Sequence, residues 1–300
     1  MIDCALIGCG YWGSKLKRYI EENPGFRLRY ICNSSSDLNE VWRDKQVTAV
    51  VVATPNEARF PVSRAALLAG KNLLSEKPLA METVQCEELR DIALKNNLIL
   101  MVEYTYTFSR ALEQARGIIK SGAIGKIRGM EMTVRHLGRF GGGSVYWLLG
   151  SHMLSVLDMF SPISMINFER RDLVTSNDVV ETGVIFFRNA DISGHITVSL
   201  NYPDKKTKVI IYGENGTVIY NPVTPPSLQV ETYRKIPWTV AAELPRERHE
   251  FDIDESHNLR LAVDYFHRSL TGKTEGNLDR AITITRILET LESGRDCNHA

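Results

Sequence analysis

The chain has 300 residues, which is enough for two domains with separate hydrophobic cores. Apolar residues make up 43% of the sequence and charged residues 24%, a composition typical of soluble globular proteins rather than disordered or fibrous ones. Acidic and basic residues balance at 36 each, so no long-range electric field favours nucleic acid or an anionic membrane as a partner.

The first hundred residues alternate short apolar runs with longer amphipathic segments. The apolar runs predict strands at 3–7, 26–32, 49–53, 72–75 and 98–102. The segments between them predict helices at 11–22, 37–45, 57–69 and 82–96. This alternation predicts a parallel, doubly wound α/β sheet, that is, a Rossmann-type domain over residues 1–120.

The pattern changes beyond about residue 120. Strand-like segments follow one another at 126–136, 179–187, 192–200, 208–212 and 217–220. Helical periodicity returns at 256–270 and 278–292, and the proline-rich stretch 221–226 predicts a loop. We therefore expect a second, α+β domain over residues 121–300, built on an open-faced mixed or antiparallel sheet.

The cysteines and the start of the chain predict a reducing compartment. There are five cysteines with no CxxC spacing and no Cys/His cluster of metal-ligand spacing: Cys4, Cys9, Cys32, Cys86 and Cys297. We expect reduced thiols and no metal site. A strand-like run already begins at Ile2, which predicts no signal peptide, and no apolar run is long enough to span a membrane. The expected location is the cytoplasm.

A glycine-rich turn follows the first predicted strand. Gly8-Cys9-Gly10-Tyr11-Trp12-Gly13 has the spacing G-x-G-x-x-G between a strand and a helix. In a dinucleotide site, Gly8 allows the tight turn, Gly10 lets the backbone approach a pyrophosphate, and Gly13 lets the helix pack on the strand. The helix N-terminus then faces the phosphates. The alternative is a glycine-rich turn without a ligand.

The second predicted strand ends in Asn33 and Ser34, where NAD-preferring sites usually carry an acidic residue for the adenosine ribose. Neutral groups there would not repel a 2′-phosphate, so the sequence leaves NAD and NADP both open. A serine-rich turn with no role in binding is an equally good interpretation.

Two further segments follow buried strands at the edge where open α/β sheets bind their ligands. They are Thr54-Pro55-Asn56 and Glu76-Lys77-Pro78. A lysine at that position could donate a proton or a hydrogen bond to a substrate hydroxyl or ketone. It could equally be a lysine at a helix start, with its stem packed and its ammonium in solvent.

With these motifs the chain resembles the glucose–fructose oxidoreductase and inositol dehydrogenase family (Gfo/Idh/MocA). The matching segments occur in the family's order at 8–13, 53–56, 69–79, 122–126 and 150–152. The resemblance implies an NAD(P)-dependent oxidoreductase that transfers a hydride to or from a sugar, nucleotide-sugar or cyclitol. It also implies that helices over 256–293 pack back on the Rossmann domain.

The resemblance assigns roles to particular residues. Lys77 takes the place of the family's catalytic lysine and His152 that of the histidine at the substrate hydroxyl, although His152 could also be a histidine at a helix start. The implied cofactor contacts are Gly8, Gly10, Tyr11, Trp12, Gly13, Asn33, Ser34, Thr54, Pro55, Asn56, Glu76, Lys77 and Pro78. Tyr104, Tyr106 and Trp147 are candidate substrate contacts, and the alternative for the tyrosines is a core position with a satisfied hydroxyl.

Three departures from the family pattern bear on activity. Leu148 occupies the position of an aspartate four residues before the histidine, and Asp158 falls on a different helical face. The run 33–48 has room for only one short helix, so the Rossmann domain is trimmed after its second strand. The family's Arg-Phe is Thr107-Phe108 here. The alternative function is therefore a catalytically degenerate member that binds a dinucleotide as a sensor or structural ligand.

The open sheet face of the second domain predicts self-association. The strand-like run 191–200 has enough apolar residues to pack against a copy of itself, and family members commonly pair in this way. We expect a homodimer or homotetramer. The alternative is a face covered by the chain's own loops.

Overall fold

A computed structural model describes residues 1–138, 140, 142–236, 238, 240, 245–272 and 277–294. The chain divides into two compact units. The first contains residues 1–105 and 257–289, and the second contains residues 106–256 with the segment that starts at Thr290. The division falls earlier than the expected boundary at residue 120. Cys297 lies outside the described residues.

The first unit contains a five-stranded parallel sheet. Its strands are β1 (Ile2–Ile7), β2 (Phe26–Cys32), β3 (Val47–Val52), β4 (Asn72–Glu76) and β5 (Leu100–Glu103). Its helices are α1 (Tyr11–Glu22), α2 (Leu38–Arg43), α3 (Asn56–Leu68), α4 (Thr83–Lys95), α7 (Asn258–Leu270) and most of α8 (Leu278–Glu292). The strand order β2-β1-β3-β4-β5 confirms the predicted doubly wound fold. Only the short helix α2 joins β2 to β3, so the domain is trimmed there, as predicted.

The two C-terminal helices belong to the core of this first unit. Phe266 of α7 stacks on Phe26 of β2, with ring centroids 6.0 Å apart. Just before α8, the Asn277 side chain accepts a hydrogen bond from Val102 N and donates one to Val102 O, at 2.9 and 2.6 Å. Asn277 therefore pairs with the free side of β5 as a neighbouring strand would, which satisfies backbone groups at the sheet edge.

The second unit contains a mixed sheet, as predicted, and it has eight strands rather than the five expected. Its strands are β6 (Ile127–Leu137), β7 (Asn167–Ser176), β8 (Val179–Arg188), β9 (Ser193–Ser199), β10 (Asn201–Gly213), β11 (Gly216–Tyr220), β12 (Leu228–Tyr233) and β13 (Arg246–Phe251). Its helices are α5 (Arg110–Lys120) and α6 (Ser151–Phe160). Strands β6 and β9 run parallel, and the other neighbouring strands are antiparallel.

The face of this sheet that is not packed on its helices is more polar than the sequence suggested. In β9, Ile196 and Val198 are buried, while the alternating His195 and Thr197 lie on the other side and are partly exposed. The apolar residues that suggested self-association thus fill the core of the unit. On the neighbouring strand β8, Phe186 is the direct partner of His195 and is exposed on the same face.

Among the described residues, no helix combines the length and apolar character needed to cross a membrane. The same residues contain no group of histidine, cysteine and acidic side chains arranged to hold a metal ion. The thiols of Cys4, Cys9, Cys32 and Cys86 are free.

Candidate active site

The glycine-rich turn joins β1 to α1, and packing within the chain explains two of its three glycines. Gly8 has φ +92°, and a Cβ there would lie 2.6 Å from the carbonyl oxygen of Ala53. A Cβ on Gly13 would overlap the carbonyl oxygen of Gly8. Both positions therefore need glycine for the turn and for close helix–strand packing.

Gly10 differs, because nothing in the chain requires a glycine there. Its φ of −76° is open to any residue, and a Cβ built on it meets no atom within 4 Å. The first hydrogen bond of α1 runs from Ser14 N to Gly10 O, so the N–H groups before Ser14 point out of the helix end. Open space beside a glycine backbone at a helix N-terminus suits a pyrophosphate, so the turn fits a dinucleotide.

Two aromatic side chains and a lysine flank the turn. Lys15 Nζ donates a hydrogen bond to the Tyr11 hydroxyl at 3.0 Å and lies 4.3 and 4.6 Å from the ring centroids of Tyr11 and Trp12. The sequence analysis missed Lys15. Its spacing of four residues from Tyr11 on a helix was the available signal. It brings a cation to the first turn of α1, beside the position expected for phosphates.

The end of β2 is a compact polar turn. Asn33 Oδ1 accepts hydrogen bonds from Ser35 N and Ser35 Oγ, at 2.9 and 2.7 Å, while Ser34 is exposed. The nearest carboxylate in sequence, Asp37, accepts a hydrogen bond from Asn39 N and begins α2 as its N-cap. No carboxylate therefore occupies residues 33–36.

An arginine that the sequence analysis missed connects the ends of β3 and β4. Arg59 is 5% exposed, and its Nη1 donates to Asn56 Oδ1 at 3.0 Å and to Pro78 O at 2.7 Å. Its Nη2 donates to Thr54 O at 2.6 Å. Burial lowers the pKa of Arg59 to about 10, and the Glu76 carboxylate acts in the opposite direction. Arg59 thus stays charged. It links the segment after β3 to Pro78, the residue that follows Lys77.

Two buried carboxyl groups lie side by side where β4 and β5 end. Glu76 and Glu103 are direct partners in the parallel register and are 7% and 2% exposed. Thr105 Oγ1 donates to Glu103 Oε2 at 3.0 Å. Burial and the Glu76 carboxylate raise the pKa of Glu103 to about 8, while the Thr105 hydroxyl and the Lys77 ammonium act in the opposite direction. Lys77 follows β4 directly and is half-buried.

In the second unit, His152 lies in the first turn of α6. Its ring meets that of Tyr106 edge-on, with centroids 5.3 Å apart and an interplanar angle of 78°. The Tyr106 hydroxyl is 3.2 Å from Thr207 Oγ1 in β10. Burial raises the pKa of Tyr106, so its hydroxyl keeps its proton at neutral pH. The structure brings together two of the predicted residues of this unit.

The segment before His152 departs from regular α-helix. Residues Tyr146–Gly150 form a turn of π-helix, a geometry often found near functional sites, and Leu148 lies within it. At the other end of α6, Asp158 Oδ1 accepts a hydrogen bond from Ile163 N at 3.3 Å. Asp158 therefore bonds the segment that follows α6.

Two of the three candidate substrate residues are buried. Tyr104 is fully buried and Trp147 is 4% exposed. This burial fits the core alternative for Tyr104 better than a substrate contact, because a side chain enclosed by its own protein offers no surface to a ligand. Tyr106 remains partly exposed.

Two family models match the chain in succession. One, described as an oxidoreductase family with an NAD-binding Rossmann fold, matches residues 2–104. The other, the GFO/IDH/MocA C-terminal domain, matches residues 112–219. The chain belongs to the Gfo/Idh/MocA family. Solved structures agree with this fold: GenD2 from gentamicin A biosynthesis, in complex with NAD, has a TM-score of 0.83 at 21% identity and covers 100% of this chain and 96% of its own.

Other Gfo/Idh/MocA relatives are more distant or match over a shorter length. A 3-ketoreductase from Actinomadura kijaniata, crystallised with TDP-benzene and NADP, has a TM-score of 0.82 at 16% identity, covering 98% of each chain. The 2,7-anhydro-N-acetylneuraminate hydratase of Mediterraneibacter gnavus is 30% identical over 141 residues, or 42% of this chain and 37% of the relative. The chain spans less than two-fifths of the length of the first curated relatives that it matches.

Proposed function

We propose that this protein is an NAD(P)-dependent oxidoreductase that transfers a hydride to or from a hydroxyl or ketone of a sugar-type substrate. The observation that carries the proposal is Gly10, the N-cap of α1, which leaves open space where a pyrophosphate can approach its backbone. Membership of the Gfo/Idh/MocA family supports the same function. The alternative of a catalytically degenerate member has no support among the relatives, which are named as oxidoreductases, dehydrogenases and reductases or, in two cases, hydratases.

The first unit would hold the cofactor through the ends of its parallel strands. The turn at Gly8, Gly10 and Gly13 would bind the pyrophosphate, with Tyr11 and Trp12 as flanking side chains and Lys15 as a nearby cation. Asn33 and Ser34 would meet the adenosine ribose. The nicotinamide side would be lined by the residues that follow β3 and β4: Thr54, Pro55, Asn56, Glu76, Lys77 and Pro78.

The bound dinucleotide would supply the hydride acceptor or donor. Lys77 would manage the accompanying proton: its neutral amine accepts the hydroxyl proton when a C–H and an O–H bond are converted to a ketone, and its ammonium returns that proton in the reverse direction. Arg59 keeps the segments around Lys77 in place. His152 would be a second group at the substrate hydroxyl, with Tyr106 against its ring.

The cofactor proposal leaves NADP open alongside NAD. A carboxylate at the tip of β2 would repel a 2′-phosphate, and residues 33–36 carry none. Asn33 Oδ1 is engaged by Ser35, while the side chains of Asn33 and Ser34 are both exposed where they could meet a ribose or its phosphate.

The substrate class rests on what the relatives are named for. They include a levoglucosan dehydrogenase of Pseudarthrobacter phenanthrenivorans and a dTDP-sugar 3-reductase of Streptomyces violaceoruber. Both names denote a sugar-derived substrate. We propose a substrate of that class for this chain.

Titration with NADH and NADPH tests the cofactor part. Binding should quench tryptophan fluorescence, because Trp12 lies in the glycine-rich turn. Trp12→Phe should lose most of the quenching while calorimetry still detects binding. If neither dinucleotide binds, the proposed function fails at its first step. If one binds, the appearance or loss of reduced nicotinamide in a panel of sugars and ketosugars tests turnover.

We also propose a cytoplasmic homo-oligomer, a dimer or tetramer, joined through the open face of the eight-stranded sheet. The support is an uncovered row of strands that exposes Phe186 beside His195, together with the free thiols of the first unit. Sedimentation at micromolar concentration tests this, with Phe186→Glu as the variant that should dissociate the assembly. A monomeric mass for the unaltered protein would contradict it.

A further inference from the structure

The most unusual feature of the first unit is the pair of carboxyl groups at the ends of β4 and β5. Neighbouring parallel strands lie about 4.8 Å apart, and direct partners point to the same face of the sheet. The register therefore holds Glu76 and Glu103 side by side, and both are almost fully buried. Two carboxylates this close in a buried setting cannot both be ionised without a large cost.

The surroundings distinguish the two members of the pair. Arg59 of α3 faces Glu76, and the favourable Coulomb interaction between them stabilises the guanidinium. Glu103 receives one hydrogen bond, from Thr105 to Oε2. Burial and the neighbouring Glu76 carboxylate raise the pKa of Glu103, whereas Glu76 has the buried Arg59 guanidinium within Coulomb range. The charge therefore belongs on Glu76 and the proton on Glu103.

Lys77 is the charged group adjacent to this pair. It follows Glu76 in the chain, and its ammonium is near enough to Glu103 to favour the ionised form of that carboxyl. The hydroxyl of the next residue, Tyr104, lies within Coulomb range of Cys86, Arg280 and Arg59 as well as Glu103. A change in the charge of the pair will therefore change the protonation of Lys77.

We propose that Glu76 and Glu103 hold a single proton near neutral pH and that this pair governs the protonation of Lys77, which makes Glu103 a positioning residue for proton transfer. The inference rests on the proposed function for its consequence in catalysis, but not for the existence of the pair. At neutral pH the pair carries one negative charge beside Lys77. When the shared proton leaves, a second negative charge appears and holds the lysine in its ammonium form.

The first test needs no substrate. Glu103→Gln replaces the protonated carboxyl with a neutral group of the same shape, and Glu88→Gln removes an exposed carboxyl of α4 as the matched control. Because the raised pKa belongs to the folded state, the stabilising contribution of Glu103 is complete below pH 4.5 and is lost as the pH rises to about 8. The ratio of unfolding constants, unaltered protein to Glu103→Gln, should rise about ten-fold or more between pH 5 and pH 9.

The second test measures the protonation of Lys77 directly. Acetic anhydride modifies the neutral amine, and mass spectrometry reports the rate at Lys77 as a function of pH. In Glu103→Gln the midpoint should move to lower pH by roughly half a unit to one unit, since the second negative charge cannot form. If a substrate is found, the pH dependence of kcat/KM should show the same displacement, whereas a purely structural role would leave its midpoint unchanged.

The outcomes separate the two proposals. The shared proton is refuted if the ratio of unfolding constants does not change with pH and the midpoint of Lys77 acetylation is the same in Glu103→Gln as in the unaltered protein. This holds even if the protein is an active enzyme. Both expected shifts without turnover of any substrate would uphold the pair and count against the oxidoreductase. If Glu103→Gln does not fold, a carbon NMR titration of the glutamate carboxyls in the unaltered protein replaces the variant. A Glu103 signal that titrates near pH 4.5 would then refute the proposal.

Discussion

Replacing Gly10 and Gly13 separately with alanine distinguishes a glycine kept for a ligand from a glycine kept for the fold. The two residues lie three positions apart in one turn. A Cβ on Gly13 overlaps the Gly8 carbonyl, while a Cβ on Gly10 enters space that contains no atom within 4 Å. We expect Gly10→Ala to lose dinucleotide binding and keep stability, and Gly13→Ala to lose both.

The magnitudes follow from the local geometry. Alanine is a poorer N-cap than glycine, which costs Gly10→Ala roughly 0.5 kcal/mol. The smaller backbone entropy of the unfolded chain returns about 0.4–1 kcal/mol, so the net change is close to zero. In Gly13→Ala the new methyl group must push the helix from the strand, and overpacking of this kind costs about 1–3 kcal/mol.

Two measurements check this prediction. Denaturant unfolding gives the stability, and calorimetric titration with NADH and NADPH gives the affinity. Gly10→Ala should weaken binding at least about ten-fold, equivalent to ~1.4 kcal/mol, because the methyl group occupies the place where the pyrophosphate meets the backbone. If Gly10→Ala binds as tightly as the unaltered protein, no phosphate approaches that backbone. The reasoning from open space at Gly10 would then be refuted.

Three further substitutions probe the first unit. Lys77→Met should abolish turnover while the dinucleotide Kd changes little, and full activity would remove the proton-transfer role from Lys77. Arg59→Met should cost about 3 kcal/mol in denaturant unfolding, because Glu76 loses its buried cation, and a loss below ~1 kcal/mol would contradict this. Asn277→Ala should cost about 1–3 kcal/mol, since it removes both bonds to Val102, and hydrogen exchange at the Val102 amide should accelerate.

The architecture of the first unit was readable from the sequence because its elements are locally encoded. Helix α1 and strand β2 have the predicted bounds, since the alternation of apolar and polar residues in β2 and the 3.6-residue period of α1 are both strong local signals. In the second unit, β7, β12 and β13 were missed. Strand β13, for example, is Arg-Glu-Arg-His-Glu-Phe and is almost wholly exposed, so it has no apolar alternation to detect. It forms because β12 offers a neighbour to pair with.

In the candidate site, too, some residues could be predicted from the sequence and others could not. The turn at Gly8–Gly13 could be predicted because its chemistry needs particular residues at fixed spacing. Arg59 could not, because a charged residue in the first turns of a helix usually faces water, and its burial depends on the carbonyl groups of two separate loops. The contact of Tyr106 with His152 joins positions far apart in sequence, so only the fold reveals it.

The leucine at position 148 suggested a loss of the acidic group that would serve proton transfer. That inference compared one position with a family pattern, and it could not include the pairing of β4 with β5. The register places Glu103 beside Glu76, and both carboxyls act on the surroundings of Lys77. Parallel strands acquire their register from the whole sheet, so the proximity of residues 76 and 103 is not written in either segment. An aspartate missing from one unit therefore does not establish that Lys77 lacks carboxyl groups to govern its charge.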